Sequence, residues 1–387
     1  GNTGTAGLVY RTLEDLDVIR AAAEGARHGT VIGGGLLGLE AAHALKLLGL
    51  EVSVVQLGTH LMSAQLDEDG GRALRSRIEA LGIDVRTSHA TREIVAGEQH
   101  RHRLIFADSP SFETDMVVFS AGIRPTDQLG RACGLAVGAR GGIVIDNQCR
   151  TSDPDIFAIG ECALWQDQVF GLVGPGYTMA RTVASLLAGE DAAFTGADMS
   201  TKLKLQGVDV GSIGDAHGRE PGATSYRFIG EADASYRRLV LSADGQRVTG
   251  AILVGDNSYY DTIFQYVQNG IKPPADPAVL ILPRGEGAEL LGADALPDTA
   301  MICSCHNVTK GSICNAIDAG CADLAALKQG TKASTGCGGC AALLKSVFET
   351  ELAARGIEVD HSLCEHFSHT RQELYSLVRV HGIRSFE

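Results

Sequence analysis

Four cysteines in two close pairs are the residues of this chain best placed to do chemistry. Cys303 and Cys305 are spaced C-x-C, and Cys337 and Cys340 are spaced C-x-x-C. Four thiolates complete the ligand set of a [2Fe–2S] cluster, and they also complete that of a structural zinc ion. Zinc sites favour pairs separated by at least two residues, which the C-x-C pair does not follow, so the spacing favours iron and sulfide. The bland alternative is four reduced thiols in a helical bundle, and two tight pairs argue against it. Gly336, Gly338 and Gly339 let the backbone come close to the sulfurs and turn N–H groups toward them. Such hydrogen bonds help to set a cluster's potential. Lys310–Asp318, Asp323–Gln329 and Ala341–Ala353 read as the helices that position the thiols.

A glycine turn carries the second chemistry. Val31 and Ile32 end a strand, and Gly33, Gly35 and Gly38 supply G-x-G-x-x-G. Leu39–Leu48 is a helix rich in Ala and Leu, and Glu51–Gln56 is the next strand. This strand–turn–helix–strand frame is the context a dinucleotide site requires; outside it the motif would be only a packing turn. The first glycine permits the tight turn, the second lets backbone approach a pyrophosphate, and the third packs helix on strand. The helix N-terminus then faces the phosphates. An acidic residue normally holds the ribose 2′-hydroxyl of NAD at the end of the second strand, and here the position is Gln56. Glutamine can bond a ribose hydroxyl without repelling a 2′-phosphate. No arginine follows immediately, although His60 is near, so the choice between NADH and NADPH stays open with a lean to NADH. A later strand, Met116–Ser120, runs into Ala121-Gly122-Ile123-Arg124-Pro125. Arg124 is either a surface charge or a neighbour of the bound cofactor.

The third signal is Ile156-Phe157-Ala158-Ile159-Gly160-Glu161, read as a strand whose terminal acid can bond a ribitol hydroxyl. A helix from Tyr177 to Leu187 follows Gly171–Gly176, and its positive N-terminal end suits a reduced flavin ring. The plain alternative for Glu161 is a charge at a helix N-terminus.

These motifs carry resemblances. C-H-N-V-T-K after the first thiol pair, and T-G-C-G-G-C, resemble the small [2Fe–2S] domain similar to bacterioferritin-associated ferredoxin, over about 301–352. G-G-G-L-L-G-L-E-A-A, A-G-I-R-P and I-F-A-I-G-E-C-A, in that order, resemble the FAD-dependent pyridine nucleotide–disulfide oxidoreductases over about 8–189. The second resemblance implies that Gly33, Gly35, Gly38 and Gln56 bind NAD(P)H and that Gly160 and Glu161 bind FAD. It also implies that Glu40 lies near the nicotinamide–flavin contact. Members of that family open with another G-x-G-x-x-G for the FAD pyrophosphate. None precedes Gly33, so that segment is expected before Gly1 and the FAD domain is expected to be incomplete. No paired cysteines of the disulfide-reductase subgroup occur in this part.

The whole chain resembles the family of large subunits of assimilatory NAD(P)H-dependent nitrite reductases. L-C-E-H-F-S-H-T-R-Q-E-L is similar to the segment leading into that family's sirohaem part. The resemblance implies hydride transfer from NAD(P)H to FAD, single electrons to a [2Fe–2S] cluster on Cys303, Cys305, Cys337 and Cys340, and onward passage to sirohaem. Sirohaem and a [4Fe–4S] cluster are expected only beyond Glu387. The implied partners are NAD(P)H, the sirohaem domain or an acceptor redox protein, and a small nitrite reductase subunit. Hydride transfer needs no acid–base residue, so no catalytic side chain is assigned. Three other readings are the electron-transfer subunit of an assimilatory nitrate reductase, a stand-alone rubredoxin or ferredoxin reductase, and a zinc-stabilised interaction module.

Composition bounds the reading, and an acidic surface suits solubility or a basic protein partner without choosing between them. The chain has 387 residues, with 33 Lys and Arg against 47 Asp and Glu, for a formal charge of −14. An acidic chain is a poor polyanion binder, so nucleic acid is not an expected partner. Six of the 10 cysteines are scattered without a disulfide-like framework, which suggests a reducing, cytoplasmic compartment. No apolar run reaches the ~18 residues of a membrane span, and no signal peptide is evident. The chain starts without Met and ends mid-element, as a fragment would. The expected fold is α/β. Residues 1–25 and 126–196 form a partial Rossmann-type FAD domain, 26–125 an NAD(P) domain and 197–285 a small α+β sheet domain. Residues 286–299 are a linker, 300–353 the helical [2Fe–2S] domain and 354–387 the start of the next segment. Cys364 and His366 lack a spaced partner pair and are not expected to be ligands. Thr370 and Glu373 read as a capping box for a helix to about Val380.

Overall fold

The computed structural model describes residues 7–205, 207–283, 293–303, 305–321, 323–336, 338–357 and 371–382. Cys337, Cys364, His366, Thr370 and the first half of the expected linker lie outside the described residues. The chain divides into two compact units, Gly1–Leu290 and Leu291–Glu387.

The first unit begins with β1 (Leu8–Val9) and α1 (Leu13–Ala23), then β2 (His28–Ile32), α2 (Leu36–Leu47), β3 (Glu51–Val55), α3 (Glu68–Ala80) and β4 (Ile83–Arg86). An antiparallel meander follows, β5 (Thr91–Ala96), β6 (His102–Phe106) and β7 (Phe112–Thr114), and then β8 (Met116–Phe119). Strands β1, β8, β2, β3 and β4 lie in that order in one parallel sheet. Buried β-branched runs such as Val31 in β2 and Val52, Val54 and Val55 in β3 suit a sheet covered on both faces. Thr12 caps α1 in a capping box with Asp15, and Gly35 starts α2 directly after the glycine turn. The α2 helix therefore begins three residues before the expected Leu39.

Next come α4 (Gln128–Ala132), β9 (Ile143–Ile145), a 3-10 turn (Gly160–Cys162), β10 (Ala163–Trp165) and α5 (Val173–Leu187). Two expectations are corrected here. No strand ends at Gly160: only an isolated bridge joins Phe157 to Arg150, and β10 starts after the turn, pairing in parallel with β9. The α5 helix starts at Val173, four residues before Tyr177. Its Gly174, Pro175 and Gly176 occupy the first turn, where a missing proline N–H costs nothing.

An antiparallel sheet completes the unit in the order β11 (Thr201–Leu205), β12 (Val208–Gly214), β15 (Val248–Val254), β14 (Ser235–Leu241), β13 (Thr224–Gly230), followed by α6 (Tyr260–Asn269). One apolar core joins the parallel sheet to this one. It includes Leu39, Leu45 and Leu74 from the helices and Leu203, Val210, Tyr236 and Ile252 from the antiparallel strands. Asp67 pins the seam: its carboxylate accepts from Gly70 N at 3.0 Å as the cap of α3, from Tyr236 OH at 2.6 Å and from Arg238 Nη1 at 3.0 Å. A separate core around Ile143, Ala163, Phe170, Met179 and Phe194 supports α5.

The second unit contains an antiparallel pair, β16 (Met301–Cys303) and β17 (Val308–Thr309), then α7 (Lys310–Asp318), α8 (Leu324–Thr331), α9 (Ala341–Ala354) and α10 (Arg371–His381). Thr309 caps α7 through Ser312 N at 3.2 Å, and Asp323 caps α8 through Ala326 N at 2.7 Å. Ile302, Ile313, Leu327, Leu344, Val347 and Phe348 are among its buried apolar residues. No helix among the described residues is long and apolar enough to cross a membrane.

Candidate functional site

The glycine turn sits at the carboxyl end of β2, where ligands bind in open parallel sheets. Gly33 has φ +117°, and a Cβ there would lie 2.2 Å from the Ser120 carbonyl oxygen. A Cβ on Gly38 would lie 1.9 Å from the Gly33 oxygen, so α2 packs directly on the turn. Gly35 has no such neighbour within 4 Å, which leaves the N-terminal turn of α2 open on the side a pyrophosphate would approach. The helix has no side-chain N-cap. The loop after β8 reaches the same place: Gly33 meets Ser120 and Ala121, and Gly122 follows with φ +93°. Arg124 is exposed just beyond it. Glu40 is half-buried on α2.

Gln56 directly follows β3 beside the turn, and its amide is oriented. Its Oε1 accepts the Gly34 N–H at 2.8 Å, so the amide nitrogen is the group left to meet a ligand. A carboxylate at this position would accept from a ribose hydroxyl; this amide donates. His60 does not face the turn. Its Nε2 is 3.1 Å from the Leu66 carbonyl and its Nδ1 3.0 Å from Thr59 Oγ1.

The second predicted pair lies on the 3-10 turn. Gly160 has φ +77°, and its Cα is 3.4 Å from where a Gly176 Cβ would be, so the first turn of α5 abuts it. This helix too lacks a side-chain cap. Glu161 is half-exposed and pairs with Arg11 Nη2 at 3.5 Å, across 150 residues of sequence. An acceptor carboxylate next to an open helix N-terminus fits the ribityl and ring end of a flavin. The described residues supply no second pyrophosphate cradle on this side.

In the second unit three predicted ligands converge. Cys303 is buried at the end of β16, Cys305 follows it, and Cys340 occupies the N-cap position of the 14-residue α9. The Cys303 and Cys340 thiols hydrogen-bond. A Cβ on Gly336 would lie 3.9 Å from Cys305 Sγ and 3.3 Å from His306 Nε2, which places the second loop against the first pair. Cys340, the backbone N–H groups of Ser334 and His306, and the His306 charge together lower the Cys303 thiol to about 5, against its burial. The loops achieve this with left-handed residues: Asn307 (φ +52°), Lys332 (+62°), Ser334 (+61°) and Gly338 (+74°). The His306 ring is held 3.2 Å from Thr335 Oγ1. A thiolate-stabilising nest of this kind fits an anionic iron–sulfur cluster.

Lys310 closes the C-H-N-V-T-K motif and opens α7, but nothing in the sequence marks it as a buried charge. It is 93% buried, and its Nζ donates to the carbonyls of Ala293, Asp294 and Leu296 at 3.1, 3.2 and 3.0 Å. It also pairs with Glu351 Oε1 at 3.0 Å. The lysine thus fastens the segment before β16 to α9, at the start of the helix that follows the first thiol pair.

Residues 1–185 match the pyridine nucleotide-disulphide oxidoreductase family. Residues 200–271 match the rubredoxin NAD+ reductase C-terminal domain, and 301–350 the BFD-like [2Fe–2S] binding domain. The chain therefore carries an oxidoreductase domain of the pyridine-nucleotide class and, after it, a [2Fe–2S]-binding domain. It is 58% identical over 98% of its length to the nitrite reductase [NAD(P)H] large subunit of Klebsiella oxytoca, and 54% identical over 98% to the nitrite reductase (NADH) large subunit of Escherichia coli. It spans 40% and 45% of those two proteins, less than half of either. Among solved structures, a ferredoxin reductase from Rhodopseudomonas palustris superposes with a TM-score of 0.60 at 25% identity, covering 70% of this chain and 67% of that one.

Proposed function

We propose that this chain is the electron-input part of an NAD(P)H-dependent nitrite reductase large subunit. The observation that carries the reading is the union, in one chain, of an open glycine turn and a thiolate-stabilising pair of loops, matching the nitrite reductases over 98% of its length. On this reading 26–125 hold the nucleotide, 1–25 and 126–196 contribute to the flavin site, 197–285 form the sheet domain, and 300–353 hold the cluster. When bound, FAD would supply the conversion of a hydride into single electrons and a [2Fe–2S] cluster would supply one-electron carriage.

The chain's own residues do the positioning. The N-terminal turn of α2, opened by Gly33, Gly35 and Gly38, would receive the pyrophosphate, and the Gln56 amide would donate to the ribose. NADH is the favoured nucleotide, because no arginine directly follows Gln56. Glu40, Gly122 and Arg124 would line the nicotinamide side. Glu161 would accept from the ribityl chain, oriented by Arg11. Cys303, Cys305, Cys337 and Cys340 would hold the cluster, and the backbone donors of Ser334 and His306 would lower its electron density at Cys303. The acceptor would be the sirohaem-bearing part of the intact subunit, with a small nitrite reductase subunit as a further partner, in the cytoplasm.

The test is Cys303→Ser in the full-length protein. NADH-driven nitrite reduction should be lost while NADH oxidation by ferricyanide persists. Undiminished nitrite reduction would refute a route through the thiol unit.

A further inference from the structure

A second cluster of metal-ligating side chains lies in the first unit, away from the glycine turn. His28 opens β2, Asp115 precedes β8, and His100 sits in the turn between β5 and β6. One ligand atom from each falls within 4.8 Å of the other two. His100 Nδ1 is hydrogen-bonded to Asp115 Oδ1 at 2.9 Å, through a proton that a metal ion would displace, and His28 Nδ1 is 3.7 Å from Asp115 Oδ2. Ligands bound tetrahedrally at ~2.0–2.1 Å stand about 3.3–3.4 Å apart, and these two separations bracket that value.

The imidazole of His28 makes the case. Its Nε2 lies 3.2 Å from Glu51 Oε2, and a neutral ring that donates there keeps its lone pair on Nδ1. That atom is buried, has no hydrogen-bond partner, and faces a carboxylate, which offers no proton. A lone pair opposite an anion is relieved by a cation between them, either a proton or a metal ion. Carboxylate–histidine–metal is the arrangement that fixes a ligating tautomer. Asp115 is oriented in the same way, with Oδ2 accepting the backbone N–H groups of Arg27 at 2.8 Å and His28 at 2.9 Å. The two rings meet edge to face, with centroids 4.5 Å apart. All three residues are partly exposed, which leaves an entry path.

We propose that His28, His100 and Asp115 form a binding site for one divalent cation of the zinc class, with Glu51 as the positioning residue of His28. Two imidazoles and a carboxylate suit Zn2+ over Mg2+ or Ca2+. The site is structural. It lies at the amino end of β2, about 16 Å along the strand from the glycine turn at ~3.3 Å per residue, and it ties the meander to the parallel sheet.

The experiment is dialysis of the full chain, with its cluster loaded so that the paired thiols are occupied, against buffered free Zn2+. Bound zinc and iron are then measured together with zinc-edge X-ray absorption. The expected result is one zinc per chain with only nitrogen and oxygen neighbours, and a melting temperature that rises with free Zn2+. His100→Gln and Asp115→Asn should each lower bound zinc at least tenfold at the same free Zn2+. The absorption spectrum of the unsubstituted chain decides the matter even where a variant fails to fold. Sulfur in the zinc shell, no bound zinc, or binding unchanged in both variants would overturn the proposal.

Discussion

Replacing Lys310 by Met tests whether one buried ammonium holds the second unit together. Methionine keeps most of the stem volume and removes the charge. Three carbonyls, of Ala293, Asp294 and Leu296, lose their donor, and Glu351 loses one of two cations. Breaking a buried ion pair from one side costs ~3–5 kcal/mol. Here the residual carboxylate is not stranded, because Arg355 Nη1 stays 2.6 Å from Glu351 Oε2. Arg355 and Lys310 together hold the Glu351 carboxyl below its usual value, against its burial. The Ala293 and Asp294 carbonyls can also turn to water, since those residues are not buried. The lower end applies, about 3 kcal/mol. At ~4–8 °C per kcal/mol for a unit of this size, the melting temperature of the second unit should fall by about 12–24 °C. Calorimetry resolves that transition, and Glu351→Gln should cost less, because Lys310 keeps its three carbonyls. A fall below about 3 °C for Lys310→Met would refute the buried clamp.

Gly33→Ala should abolish NADH binding and destabilise the first unit, because φ +117° and a Ser120 oxygen 2.2 Å from the new Cβ leave it no room; wild-type affinity by titration calorimetry would contradict this. Gln56→Glu keeps an acceptor for Gly34 N–H and adds a charge, so the NADH:NADPH preference in kcat/KM should rise at least ~10-fold by charge repulsion of the 2′-phosphate. An unchanged ratio would place the ribose elsewhere. Backbone N–H groups of Glu98, His100 and Gln99 hold the Glu113 carboxyl at about 2, below its ordinary 4.5. Against its burial, the N–H groups of Arg27 and His28 and the His100 ring hold Asp115 at about 2, below 3.8. Both folded values are depressed, so their stabilisation is complete above about 4.5 and is lost as pH falls toward 2. Urea midpoints of the first unit should drop between pH 5 and pH 2.5, with a shallower drop in Glu113→Gln; equal slopes would rule out the Glu113 contribution.

Local pattern carried much of this protein. The glycine spacing at Gly33, Gly35 and Gly38 and the β-branched strands on either side each act within a few residues, and the local pattern records them. The thiol pairs are legible for the same reason, since chelation by close neighbours needs a short spacing. The start of α5 was misread because Gly171–Gly176 resembles a loop, yet a first helical turn tolerates Gly and Pro. Tertiary structure decided the rest. It turned the Gln56 amide by way of Gly34, set Arg11 on Glu161, folded His60 away from the turn and buried Lys310. It also brought His100 and Asp115 to His28. These contacts join residues whose partners are backbone groups or lie in other elements. No periodicity marks them, because a hydrogen bond or a ligand shell depends on distance in space, and only the packing of the sheets and helices sets that distance.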